Sequence, residues 1–305
     1  MRKLTKAAIA AAGLATLAPA AAAHAAPAPA PTLFPERWID GTNGAEPAVQ
    51  VQALDADTFV LRQSVHSNFE APFLYLLFGR DKALLVDSGA EGARIVPTVD
   101  ALIAAWSARH GGKVPPLIVA HSHSHGDHVA TDAAFRARPG TTVVGLKPAD
   151  VAAFFGVRDW PRDIASFDLG GRRLSIIPTP GHQAAAIMVY DPRLKILLSG
   201  DTLYPGRLYV PVNFLADDRA SLDRLAAFAR SHPIRAALGA HIEMTTSPGK
   251  DYGHEAPAHP DEHRLELPPT QIAELRAGLR ALLDAPDIRQ VHDHFIIVTV
   301  PPRAE

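Results

Sequence analysis

Apolar residues fall in two rhythms along this chain, and the rhythms alternate. Short continuous or period-two apolar runs occupy residues 58–65, 73–78 and 83–86, separated by Glu70-Ala71-Pro72 and Gly79-Arg80-Asp81. Runs of that length bounded by turn formers predict strands. The spacing then lengthens: Val99, Leu102, Ile103 and Trp106 share one face of a predicted helix that Gly111-Gly112 ends. The pattern then repeats. A strand over 117–120 leads into a polar loop and a helix over 128–136, and strands are predicted over 142–144, 174–177, 186–190 and 194–198. A second clear helix carries Leu222, Leu225 and Phe228, entered through Asp217-Asp218 and stopped by Pro233. Thr270 reads as the cap of a third, with Ile272, Leu275, Leu279 and Leu282 along one face, before a closing strand over 295–300. Strands with helices interspersed, twice over, predict an α/β (α+β) protein of two stacked mixed sheets flanked by helices.

Composition narrows the class. With 305 residues, 47% of them apolar, the chain can bury one sizeable core, and no shift in composition marks an internal boundary. A single domain is expected over 49–305. Residues 1–25 read as a secretory signal peptide: Arg2, Lys3 and Lys6 precede an apolar stretch over 7–17, and Ala23-His24-Ala25 offers a cleavage site. A periplasmic or secreted protein is therefore expected. So short an alanine-dominated stretch inserts weakly, and no stable membrane insertion is expected after cleavage. Residues 26–48 read as a Pro/Ala-rich spacer. The chain has no cysteine, which rules out disulfides and lipid attachment through a thioether. Cleavage would leave 27 basic against 32 acidic residues and no Lys/Arg run to track a phosphate backbone. Nucleic acid is thus excluded as the expected partner, and a small-molecule substrate is favoured. Oligomeric state is not readable from the sequence.

The chemistry concentrates in His121-Ser122-His123-Ser124-His125-Gly126-Asp127-His128, directly after a strand-like run. Imidazoles and a carboxylate crowded into one loop do little for packing, and they are the donors that divalent metals accept. The pattern H-x-H-x-D-H fits one register only: His123, His125, Asp127 and His128. Starting at His121 would need Asp at 125, so His121 reads as a strand-end residue. Further along lie Thr179-Pro180-Gly181-His182, Ser199-Gly200-Asp201 and Leu238-Gly239-Ala240-His241, each after an apolar run, and upstream stands Leu84-Leu85-Val86-Asp87-Ser88-Gly89.

These five motifs, in this order, resemble the metallo-β-lactamase superfamily over roughly residues 50–245. The resemblance implies an αββα sandwich and a dinuclear zinc site, with Mn²⁺ or Fe²⁺ as possible substitutes. It implies that His123, His125 and His182 hold one metal, that Asp127, His128 and His241 hold the second, and that Asp201 bridges both while Asp87 supports the site from behind. It also implies hydrolysis of a small lactone, ester, thioester or phosphoester by a hydroxide held between the metals. Asp127 is placed among the catalytic groups as well as the ligands. Class B β-lactamases carry Cys or Ser where this chain has Asp201, so a branch with a bridging Asp is expected. Tyr204, three residues after Asp201, is similar in spacing to the phenol that polarises the carbonyl in acyl-homoserine lactonases; it reads equally as a packing residue before Pro205-Gly206. Arg207 is a candidate anion holder, or a solvated loop residue. His254, His259 and His263 do not fit a structural zinc spacing and read as an exposed, mobile loop. His292 and His294 are expected to face solvent. Two alternatives remain: a mononuclear iron dioxygenase of the same fold acting on sulfur substrates, and a non-catalytic envelope protein that binds metal.

Overall fold

The first half of the chain lays down a sheet in sequence order. Strands β1 (Val49–Asp55), β2 (Thr58–Gln63), β3 (Phe73–Phe78) and β4 (Ala83–Val86) form an antiparallel meander, and β5 (Leu117–Ala120) and β6 (Thr141–Val143) add in parallel. Parallel neighbours need a crossover, and α1 (Ile95–Arg109) supplies it between β4 and β5. Two short helices, α2 (Gly126–Val129) and α3 (Asp132–Ala137), join β5 to β6. After α4 (Pro148–Phe155) the second half repeats the plan. β7 (Ala165–Asp168), β8 (Arg173–Pro178), β9 (Ile187–Asp191) and β10 (Ile196–Gly200) are antiparallel. β11 (Arg207–Pro211) then leaves for a third sheet, α5 (Leu215–Ala229) crosses over, and β12 (Ala236–Gly239) pairs in parallel with β10. β13 (Glu266–Leu267) closes that edge. Beyond α6 (Thr270–Ala281), β14 (Arg289–Val291) and β15 (Ile296–Val300) complete the small sheet in the order β11-β15-β14. The computed structural model describes residues 32–92, 94–282 and 287–303.

Strand β3 shows why the central runs are continuously apolar. Phe73, Tyr75 and Leu77 enter the cluster between the two large sheets, where they join Leu174, Ile176, Ile187, Val189, Leu198 and Leu238. Leu74, Leu76 and Phe78 point the other way, into a cluster with Val99, Ile103 and Trp106 of α1. A strand covered on both faces has no polar side to display. The second sheet does the same: Ile177, Met188, Tyr190 and Leu197 face outward onto Leu222, Leu225 and Phe228 of α5 and Ile272, Leu275 and Leu279 of α6. The result is the αββα sandwich.

The structure departs from the pattern reading in four places. The helix expected over 128–136 is two helices, because the Ala130 N–H donates to the Gly89 carbonyl and the Thr131 hydroxyl to the Ser88 carbonyl. Those bonds tie the segment to the end of β4 instead of continuing a helical ladder. Thr270 opens α6 but does not cap it; Pro269 holds that position without a side-chain bond. Helix α4 and strands β7, β11 and β14 run for only three to eight residues, too short to show a period. Packing also starts well before Val49. Phe34 meets Trp38 edge-on at 4.9 Å and Trp38 meets Phe73 at 5.0 Å, so two aromatics four residues apart pin residues 32–48 to the inter-sheet core. The signal peptide over 1–25 and the first part of the spacer lie outside the described residues.

Candidate metal centre

All the candidate donors follow strand ends at one edge of the sandwich. β4 and β5 run in parallel, and β8 and β10 are both antiparallel to β9 and hence share a direction with each other and with β12. The segments after β4, β5, β8, β10 and β12 therefore emerge together. They carry Asp87, the 121–128 loop, His182, Asp201 and His241 in turn.

The donors converge in two groups that share one carboxylate. In the first, His125 Nδ1 lies 2.9 Å from both His123 Nε2 and His182 Nε2. In the second, Asp127 Oδ2 lies 3.0 Å from His128 Nε2 and 3.2 Å from His241 Nε2. Asp201 stands between them. Its Oδ2 faces the first group, 3.8 Å from His123 and 3.6 Å from His182, and its Oδ1 faces the second, 3.6 Å from His128 and 3.4 Å from His241. All seven residues expected from the sequence are thus brought together, in the two sets expected. His125 and Asp127 are the half-buried members, so the cluster opens to solvent on their side.

The outward nitrogens of the imidazoles set which nitrogen is free. His128 Nδ1 meets Asp87 Oδ2 at 3.0 Å, His123 Nδ1 meets Ser122 Oγ at 3.1 Å, His182 Nδ1 meets the Tyr209 carbonyl at 2.7 Å and His241 Nδ1 meets the Glu70 carbonyl at 2.8 Å. Each partner accepts, so each Nδ1 carries the proton and each inward Nε2 offers its lone pair. Asp87 organises the centre of this shell. It adopts φ 68°, a left-handed conformation that Asp tolerates, and accepts from the Ser122 N–H at 2.7 Å and the Ser122 hydroxyl at 2.9 Å. Gly200 allows the close approach from the other sheet: a Cβ there would fall 2.6 Å from Ser122 Cβ.

Electrostatics divides the two groups. Burial and the neighbouring imidazoles hold His123 well below its ordinary value, burial and His182 push His125 down to about 4, and burial lowers His182. These three stay neutral, the form that binds metal. Burial also opposes charge on His128 and His241, yet carboxylates outweigh it and raise both: Asp87 and Asp127 for His128, Asp201 and Asp127 for His241. Burial works against ionised Asp127 and Asp201 too, and His128 and His241 overcome it, holding both carboxyls far below the usual range.

This donor set fits divalent metal. Ligands about 2.0–2.1 Å from a tetrahedral ion stand about 3.3 Å from one another, and the separations here run from 2.9 to 3.8 Å. Asp201 Oδ1 is buried without a hydrogen-bond partner. An ionised oxygen left so is costly unless a cation meets it.

Other sequence candidates are drawn elsewhere. Tyr204 is buried, its hydroxyl donating to the Arg207 carbonyl at 2.6 Å with Glu243 Oε2 at 3.1 Å, so the phenol serves the fold of its own loop. Arg207 is no anion holder: its guanidinium donates to Glu243 at 2.6 Å, to Asp251 at 3.1 Å and to the Tyr252 carbonyl at 2.7 Å. His121 Nε2 donates to Asp132 Oδ1 at 2.8 Å and stays apart from the donor groups. The 253–267 loop is more fixed than expected. His259 stacks on Tyr252 at 4.3 Å and meets Glu262 at 3.0 Å, while His263 Nε2 meets His294 Nδ1 at 2.9 Å and His292 meets Glu274 at 2.8 Å. Only His254 stands out from it, tilted against Phe69. Ser122 and the Glu70 and Tyr209 carbonyls were not found from sequence, because no spacing rule marks a group that holds a ligand's far nitrogen.

A sandwich with such a cluster at its strand ends defines a metal-dependent hydrolase of the αββα class. The profile of the metallo-beta-lactamase superfamily matches residues 68–241, and the chain belongs to that superfamily. A hydroxyacylglutathione hydrolase of Rhizobium meliloti (strain 1021) is 31% identical over 209 residues, covering 61% of this chain and 77% of that relative. One from Rhizobium etli is 31% identical over 175 residues, 56% of this chain, and the match spans 63% of that relative's length. Among solved structures, TMB-1 superposes with a TM-score of 0.50 at 14% identity, covering 77% of this chain and 98% of TMB-1, a likeness of fold alone.

Proposed function

We propose that the chain is an exported dinuclear zinc hydrolase of small acyl thioesters. The observation that carries the proposal is Asp201, whose two oxygens face two separate donor groups, one buried oxygen having no hydrogen-bond partner. The relatives named hydroxyacylglutathione hydrolase support a thioester as the scissile bond, and the signal-like residues 1–25 support export. His123, His125 and His182 with Asp201 Oδ2 would hold one ion, and Asp127, His128 and His241 with Asp201 Oδ1 the other.

When bound, the metals supply Lewis acidity and a water acidic enough to lose its proton near neutral pH. The chain's own residues do the rest. Asp87, Ser122 and the Glu70 and Tyr209 carbonyls keep four imidazoles in the tautomer that points Nε2 inward. Asp127, held ionised by His128 and His241, would serve as a ligand of the second ion. The side of the cluster at His125 and Asp127 is the only one with partly exposed donors, so the thioester carbonyl enters there. Tyr204 has no part in this scheme.

Plasma mass spectrometry on protein purified without added metal or a His tag, paired with a thioester assay, tests the reading. Two zinc per chain with turnover is the expected result. A single iron would move the chemistry to oxidation of sulfur, and no metal after soaking would overturn the proposal. The N-terminal sequence of the protein in a periplasmic fraction tests export, with Ala26 the expected first residue.

A further inference from the structure

Beside the first donor group lies a cleft of about 170 Å³ that the scheme above does not use. It is lined by His125 and His182, by the apolar Ala184, Pro211 and Phe214, and by Arg303. Arg303 reaches the site from the far end of the chain, just beyond β15, and it is held there. Asn213 Nδ2 donates to the Arg303 carbonyl at 3.1 Å, and the Arg303 N–H donates back to Asn213 Oδ1 at 3.2 Å. Asn213 itself lies on the 3-10 turn Val212–Phe214 that carries Phe214 into the cleft. The Arg303 backbone is thus tied to the turn that carries Phe214, and the residue lies in the lining of the cleft. No carboxylate lines the cleft, and among the described residues the guanidinium has no ion-pair partner.

A second, separate cavity offers no such cation. The small cavity past His241 is lined by Glu70 and Glu243, and the one arginine there, Arg207, is spent on Glu243 and Asp251.

We propose that Arg303 is a specificity-determining residue, the carboxylate anchor for thioesters that carry an acid group, with Ala184, Pro211 and Phe214 taking the aliphatic segment between that group and the scissile bond. This rests on the thioesterase reading of the same site. A cation without a competing carboxylate gives a charge-assisted, forked hydrogen bond to such a group.

The test uses the metal-loaded full chain and two matched pairs of thioesters. One pair carries a carboxylate or its methyl ester at the end of the acyl chain, the other on the thiol portion. Wild type is expected to favour the acid in one of the pairs by about fivefold in kcat/KM. Arg303→Ala should abolish that preference through KM, leaving kcat on the methyl esters within about twofold, and Arg303→Lys should restore part of it. A preference that survives Arg303→Ala, or none in either pair, overturns the subsite. If wild type turns over neither pair, the thioesterase reading fails, and calorimetric titration of glutarate against its monomethyl ester then decides the subsite. Tighter glutarate binding in wild type that Arg303→Ala erases upholds it; equal binding overturns it.

Discussion

Asp218 is a carboxyl placed where a charge has no support. It lies in the first turn of α5, 3% exposed, with Oδ1 buried and unpartnered. Its carboxyl packs against the backbone of Gly181, next to His182, so closely that a Cβ at 181 would fall 2.5 Å from Asp218 Cγ. Burial, helped by Asp217, pushes this group up to about 7. The unfolded chain ionises near 3.8, so between about pH 4 and 7 the folded form binds a proton that the unfolded form has lost. Stability contributed by this group is therefore fully present below the unfolded value and falls as pH rises towards 7. A displacement of about three pH units corresponds to at most about 4 kcal/mol, with a slope of up to about 1.4 kcal/mol per pH unit. Asp218→Asn keeps the shape and cannot ionise. We expect urea denaturation of metal-loaded wild type and variant at pH 5, 6, 7 and 8 to show the variant gaining steadily on wild type up to about pH 7 and then holding its lead. A fixed offset from the new amide is allowed, because the test reads the slope. A difference that is flat with pH, or that shrinks as pH rises, refutes the account of a buried, protonated Asp218.

Four further outcomes are expected. Asp201→Ala should empty at least part of the metal centre by mass spectrometry and cut thioester hydrolysis by about a thousandfold; undiminished activity would end the bridging role. Asp87→Ala frees the Nδ1 of His128, and a competition titration with a chelator should show metal affinity weakened by about 10–100-fold, whereas His121→Ala should cost about 1–3 kcal/mol of stability with metal content unchanged. If the His121 variant loses metal, the ligand register of the loop is wrong. Arg62 is 1% exposed and paired with Glu262 of the 253–267 loop, itself buried and bonded to His259. Arg62→Met strands that carboxylate and should lower stability in chemical denaturation by about 3–5 kcal/mol; a loss under about 1 kcal/mol would show that the loop relaxes to water.

The four candidate donors of the 121–128 loop were legible because they are local. His123, His125, Asp127 and His128 sit in one loop, and an extended segment turns residues two apart to the same side. The β3 run was legible too, since a strand buried on both faces leaves an unbroken apolar stretch. Elements whose limits depend on partners distant in sequence were not. The break between α2 and α3 is set by the Gly89 and Ser88 carbonyls, some forty residues upstream, and nothing in the local spacing announces it. Residues 32–48 look like spacer until Trp38 meets Phe73.

Residue type and spacing thus determined the fold class and singled out the seven candidate donors that the fold brings together. Tertiary structure decided what each remaining polar group is for. Tyr204 and Arg207 have the chemistry to touch a substrate, yet Glu243, over thirty residues away, claims both; Arg303 lies some ninety residues from Asn213, and only the fold brings it to the cleft. A metal ligand is recognisable alone because its donor chemistry is intrinsic to the side chain. An arginine or tyrosine is a binding group only if no nearer partner has satisfied it, and which partner is nearer is a property of packing.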